Sequence, residues 1–229
     1  MKGKKAGKGK AQESLCRGEL GESARRIVEV AEGLFAEHGF DGVSMSDIAK
    51  AANVSKANLY HHFESKRNLY IAVVSACKNE IAPILHDMLN MPASFRDGFG
   101  KLAAGHLDGL LKRERVTRLV RREMLEDGER FGQELAQKVH GEQFANFVKV
   151  LRHAQDSGEL RDDVDPAMVA LLVVAANLFF FDSKNVFRHF PDVDFADDPR
   201  KYSTKGVDIL LNGILAGKKK TKNKKNKRS

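Results

Sequence analysis

Between Val54 and Phe63 the chain reads VSKANLYHHF, which gathers Ser55, Lys56, Asn58, Tyr60, His61 and His62 into one short run with Glu64 close behind. Two chemistries are open to such a set. Adjacent imidazoles beside a carboxylate suit a metal ion or proton transfer. The same hydroxyl, amide, ammonium and ring N–H groups suit phosphate oxygens and base edges. Helical geometry separates the two. Consecutive residues of a helix point about 100° apart and do not face one another. A helical metal pair wants spacing i, i+4, as in HExxH, and that motif is absent from the sequence. No Ser/His/Asp arrangement, GxSxG, P-loop or dinucleotide fingerprint occurs either. The acidic run DVDFADD lacks the Gly and distal Glu of a calcium loop. The expectation is a protein without catalytic residues, cofactor or metal, whose histidines belong to a nucleic-acid contact.

That contact has to be presented by short helices. Residues 23–38 place Ile27, Val30, Ala31, Leu34 and Phe35 at i, i+3, i+4, i+7 and i+8, one apolar face of an amphipathic helix that Gly39 would stop. Ser44 with Asp47 three residues on reads as an N-cap with a capping-box partner. Asn53 tolerates the left-handed conformation of a tight turn. Ser55 can cap a second short helix containing Leu59, and Ser65 a longer one starting near Lys66. Small Ala49 and Ala52 allow a close helix crossing, with Val54 and Leu59 filling the angle. Residues 44–63 therefore have the spacing of a helix-turn-helix. Within it Lys56 and Asn58 are the better base readers. Ser44, Ser55, Tyr60, His62 and Lys66 suit phosphate, and His61 suits either.

Helical periods continue from Lys66 to about Asn90, with a kink expected at Pro83. They resume roughly over 94–112, 115–127, 129–157, 166–189 and 200–216, with Gly128 among the breaks. The fold class is all-α, about nine helices: a DNA-binding domain over residues 20–65 and a larger helical domain over 66–217. Basic tails over 1–19 and 218–229 flank them. The first ten residues carry five lysines and the last twelve carry eight Lys/Arg, none with an acid. The formal net charge of +8 thus belongs to the tails, and residues 11–217 are net negative. Such tails bury no core and are expected to be disordered, either as solvated ends or as segments drawn to DNA phosphates. The longest uncharged run, Pro166 to Phe181, falls short of the roughly 20 residues of a membrane span. It also contains Asn177, so a buried helix is expected. Two cysteines, Cys16 and Cys77, and no apolar stretch behind the basic N-terminus point to a reducing cytoplasm.

The run RIVEVAEGLFAEHGFDGVSMSDIAKAANVSKANLYHHFESKRNLY, Arg26 to Tyr70, resembles the N-terminal domain of TetR-family transcriptional regulators. The matching positions include Ala31, Leu34, Phe35, Gly39, Phe40, Ser44, Ile48, Ala49, Val54, Ser55, Leu59, Tyr60, His62, Phe63, Lys66 and Leu69. One departure is Asn53, where the family usually has Gly. The resemblance implies a two-fold homodimer that puts the second short helix of each subunit into the major groove of an operator. The C-terminal domain would bind a small effector and dimerise through its last two helices. It also implies a repressor that the effector releases.

Candidate effector contacts are positions where polar or aromatic groups fall among apolar ones: His86, His106, Arg118, Arg122, Phe144, Asn177 and Phe181. Arg118, Arg121 and Arg122 suit an anionic effector or pairing with Glu123 and Glu126, and the sequence leaves both open. Two other functions remain. An architectural DNA-binding protein without effector would show little sequence preference. A small-molecule-binding protein with a vestigial helix-turn-helix would not bind an operator.

Overall fold

The computed structural model describes residues 21–75, 81–90 and 94–214. The expectations for both tails, Cys16 and Cys77 lie outside the described residues. Those residues form ten α-helices and one π-helical turn, with no β-strand among them, against about nine helices expected.

Helix α1, Glu22–His38, buries Ala24, Ile27, Val28, Ala31 and Phe35. Val30 and Leu34 sit only partly buried at the margin of that face. Gly39 ends the helix at φ +77, a conformation that favours glycine. Helix α2, Met45–Ala51, begins at a complete capping box: Ser44 Oγ accepts from Asp47 N at 3.2 Å, and Asp47 Oδ2 accepts from Ser44 N at 3.0 Å. It ends in a Schellman turn. Val54 N donates to Ala49 O (3.0 Å), Asn53 N donates to Lys50 O (3.1 Å), and Asn53 stands at φ +52. Helix α3, Lys56–His62, is capped by Ser55 Oγ, which accepts from Asn58 N at 3.1 Å. Helix α4, Lys66–Ser75, is started by Ser65, which accepts from Asn68 N, and Leu69 to Ser75 are all buried.

The larger part follows with α5 (Ala82–Asn90), α6 (Phe95–Lys112) and α7 (Glu114–Glu134). A π-helical turn over Leu135–His140 leads into α8 (Gly141–Asp156), then α9 (Pro166–Phe187) and α10 (Pro199–Ile214). Three sequence expectations are corrected. Pro83 stands in the first turn of α5, where a missing N–H costs no helical bond, and not inside a kinked helix. Gly128 does not break α7, which runs through it from Glu114 to Glu134; a single glycine lowers helix preference by only about 1 kcal/mol. The irregularity comes later, at the π-helical turn, where a Cβ on Gly141 would collide with the Ala136 carbonyl. Third, the uncharged run ends at Phe181 as read, but the helix that carries it does not. Helix α9 runs on through Asp182 and Lys184 for 22 residues and is long and apolar enough to cross a membrane by length and composition, so the shortness of the run does not by itself set it apart from a span.

Two hydrophobic cores result. The first joins α1 to α4 and takes in Val116 and Leu119 of α7 and Val139 of the π-helical turn. Phe35, Phe40 and Tyr70 form its aromatic centre, with ring centroids 5.2–5.9 Å apart. The second lies among α5, α6, α8, α9 and α10. Helix α6 packs against both α9 and α10, and α9 also packs against α8. Asp165 caps α9, accepting from Ala167 N and Met168 N, with Pro166 at the first helical position.

Candidate nucleic-acid interface

The capping and turn bonds set α3 across α2 so that its two sides differ. Leu59 and Phe63 are buried in the first core. Lys56 and His61 are exposed, Tyr60 is 50% exposed, and Asn58 is partly buried beside the Ser55 cap. The ring of His62 lies between those of His61 (5.4 Å) and Phe63 (6.3 Å). Partial burial, helped by His61, lowers the His62 pKa, which favours a neutral imidazole with one N–H to donate. No group of three or more metal-ligating side chains converges among the described residues.

Three of the eight candidate contacts are engaged within the fold, Ser55 through the Asn58 N–H that its hydroxyl accepts as the cap of α3. The Ser44 hydroxyl lies 2.6 Å from Asp47 Oδ2, inside the capping box. Lys66 Nζ donates to Phe40 O at 2.8 Å and stands 4.3 Å over the Phe40 ring. Ser55, Lys56, Asn58, Tyr60, His61 and His62 are brought together on and around α3. Sequence reasoning did not foresee the role of Arg26. Its Nε and Nη2 donate to Ala52 O at 3.2 and 2.6 Å, satisfying a carbonyl at the end of α2 and fixing that end to α1. Arg26 lies 26 residues from Ala52 in the chain, and no local signal marks it.

The seven candidate effector residues do not converge. His86 is exposed on α5 beside Asp87. Arg118 is exposed, paired with Glu114 at 2.7 Å, and stands 5.6 Å over the Phe181 ring. The Arg122 guanidinium lies where a Cβ on Gly39 would be, against the α1–α2 loop. Phe144 packs at the edge of the second core, and Phe181 is buried. Only His106 and Asn177 bond to each other. The buried Asn177 amide donates to Ala103 O at 2.9 Å and contacts His106 Nδ1 at 3.1 Å. A cavity of about 570 Å³ between α5, α6 and α8 is lined by Met88, Phe95, Val150 and His153, and by none of the seven.

Burial, with His140 nearby, pushes the His106 pKa down to about 4. Protonating Nδ1 would also set two donors against each other. Below pH ~6.5 the unfolded chain takes up a proton that the fold refuses. Stability should therefore fall as pH drops from ~6.5 toward ~4, by about 1–3 kcal/mol from this residue. Urea unfolding of wild type and His106→Gln at about pH 7.5 and about pH 4.5 checks this. An acid loss as large in the variant as in the wild type would show that His106 is not its source.

Helix α9 presents apolar side chains on both sides. Val169, Ala170, Val173, Phe180 and Phe181 are buried, and Phe180 stacks on Tyr202 at 4.1 Å. Met168 (55% exposed), Leu171, Leu172, Phe179 (62%) and Val186 recur every three or four residues or at multiples of that spacing, forming an open stripe on the opposite face.

Residues 27–73 match the family of bacterial regulatory proteins described as the tetR family, and residues 96–205 match the tetracyclin repressor-like C-terminal domain. A negative transcriptional regulator of a biofilm operon in Staphylococcus aureus, IcaR, is 41% identical over 69 residues. Those residues are 30% of this chain and 36% of IcaR, so the match spans about a third of the curated relative's length. Among solved structures, the fatty acid degradation regulator FadR of Bacillus halodurans superposes with a TM-score of 0.69 at 16% identity, over 85% of this chain and 97% of that one. The ketosteroid transcriptional regulator KstR2 of Mycobacterium tuberculosis gives 0.55 at 18% identity, over 87% and 98%. At these identities the two structures speak for the fold.

Proposed function

The chain belongs to the TetR family of bacterial transcriptional regulators, and from that premise we propose that it is a cytoplasmic repressor that binds a specific DNA operator as a homodimer. The observation that carries the reading is α3, whose core side holds Leu59 while Lys56, Tyr60 and His61 stand free on its outer side. An amphipathic helix held at a fixed angle with polar groups outward is what a major groove accepts. Lys56 and Asn58 read bases, and Ser55, Tyr60 and His62 set the register on phosphates. The open stripe of α9 is the surface that meets the second subunit.

The effector is a small molecule that enters the second core, where His106 and Asn177 supply hydrogen bonds among apolar walls. A ligand that favours one arrangement of the helices shifts the population of the DNA-binding form, and DNA and effector affinities are then reciprocally coupled. Selection of operator DNA from a random pool by the full-length protein, followed by an alanine scan, tests the reading. Asn58→Ala should relax preference at one base position, with a loss of about 1–3 kcal/mol confined to the preferred site. Tyr60→Ala should weaken all sites about equally. A protein that enriches no sequence would be an architectural binder or no DNA reader at all.

A further inference from the structure

We propose that three consecutive residues of α7, Arg121, Arg122 and Glu123, couple helix α9 to the loop that leads into the DNA-reading unit, with Glu123 as the positioning residue for that loop. The inference rests on the DNA-reading role given to α3 above. Successive helical side chains diverge by about 100°, so three in a row reach three different neighbours. Arg121 reaches α9: its Nε and Nη2 both donate to Asp182 Oδ2, at 3.1 and 2.7 Å. Arg122 lies over Gly39. Glu123 is buried and accepts from Phe40 N at 3.4 Å.

Phe40 is gripped from the other side as well. Its carbonyl and ring take the Lys66 ammonium from the start of α4. Arg67, the next residue, pairs with Glu134 at the far end of α7. Phe40 stands four residues ahead of Ser44, the cap of α2, so its position sets where the reading unit begins. A carboxylate is costly to bury unless its hydrogen bonds are met. An apolar side chain would fill the same space against the first core, and Glu123 instead takes the loop's N–H. A displacement of α9, whether from a ligand beside Asn177 or from the second subunit, thus has a route to the loop through one helix.

Spatial continuity alone does not establish coupling, and a mutant cycle does. Hydrogen exchange of the full-length protein reads the loop directly. Glu123→Ala should speed exchange across residues 39–45 by about tenfold, and Glu123→Gln, which keeps an acceptor, by less. Asp182→Asn should speed the same distant segment by about threefold, and Asp182→Glu should leave it slow. The Asp182→Asn/Glu123→Ala pair should be no faster than Glu123→Ala alone. A loop unmoved by Glu123→Ala, or by Glu123→Gln should the alanine variant not fold, overturns the latch. A loop moved by Glu123→Ala and untouched by Asp182→Asn overturns the coupling. With selected DNA, operator affinity should fall in these variants with an unchanged salt slope, since none of these side chains neutralises a phosphate. Absence of any DNA binding would refute the proposed function and leave the exchange result standing by itself.

Discussion

Leu172→Asp combined with Phe179→Asp should turn the protein into a folded monomer and lower its operator affinity by at least about a hundredfold. The two positions are seven residues apart on the open stripe of α9, 47% and 62% exposed. Neither supports the subunit's own core, so the helical signal and melting of the isolated subunit should be kept. Each large apolar side chain on this stripe gains about 1.5–3 kcal/mol when a second copy covers it. An aspartate in its place leaves an unpaired charge at the centre of the contact, which costs several kcal/mol more. Two reading helices on one dimer bind two half-sites at high effective concentration, and a monomer loses that gain without losing a single DNA contact. Light scattering after size exclusion, with operator titrations on the same samples, decides the matter. A variant that remains dimeric would place the subunit contact elsewhere.

Phe35→Ala should destabilise the protein by about 3–5 kcal/mol. Phe35 is fully buried and lies against both Phe40 and Tyr70. The cavity left by its ring cannot be filled easily, because the surrounding helices are fixed by Arg26 on Ala52 and Lys66 on Phe40. Val116, Leu119 and Val139 belong to the same core, so the loss should spread into α7 and not stay within the reading unit. Calorimetry should show one transition lowered by roughly 10 °C or more. Two transitions, with the upper one at the wild-type temperature, would show that the reading unit unfolds independently.

The parts of this architecture that the sequence announces are those with local causes. Ser44 with Asp47, Asn53 at the turn and Ser55 before α3 all act within a few residues, and each is found in its expected role. The parts it does not announce depend on partners far along the chain. Lys66 looks like a phosphate contact until Phe40, 26 residues away, is brought beneath it. Arg122 reads as an effector contact, yet Gly39 leaves the space its guanidinium occupies. Glu123 reads as a surface ion-pair partner and is buried on a backbone N–H 83 positions earlier. His86 reads as an effector contact, yet it stands exposed beside Asp87 on α5. Periodicity gives the existence of a helix more firmly than the direction of any one side chain.

The 22 residues of α9 also bear on how the protein is made. Mean hydropathy of 1.8 over an 18-residue stretch of this helix is the signal by which a nascent segment is offered to a lipid bilayer. Asn177 near the middle and Asp182 and Lys184 toward the end count against insertion, the charged pair by up to about 2.5–3.5 kcal/mol each when deep in the membrane. Residues that bond to α6 and α7 in the finished fold therefore bias the emerging chain away from the translocation machinery before either helix is there to receive it.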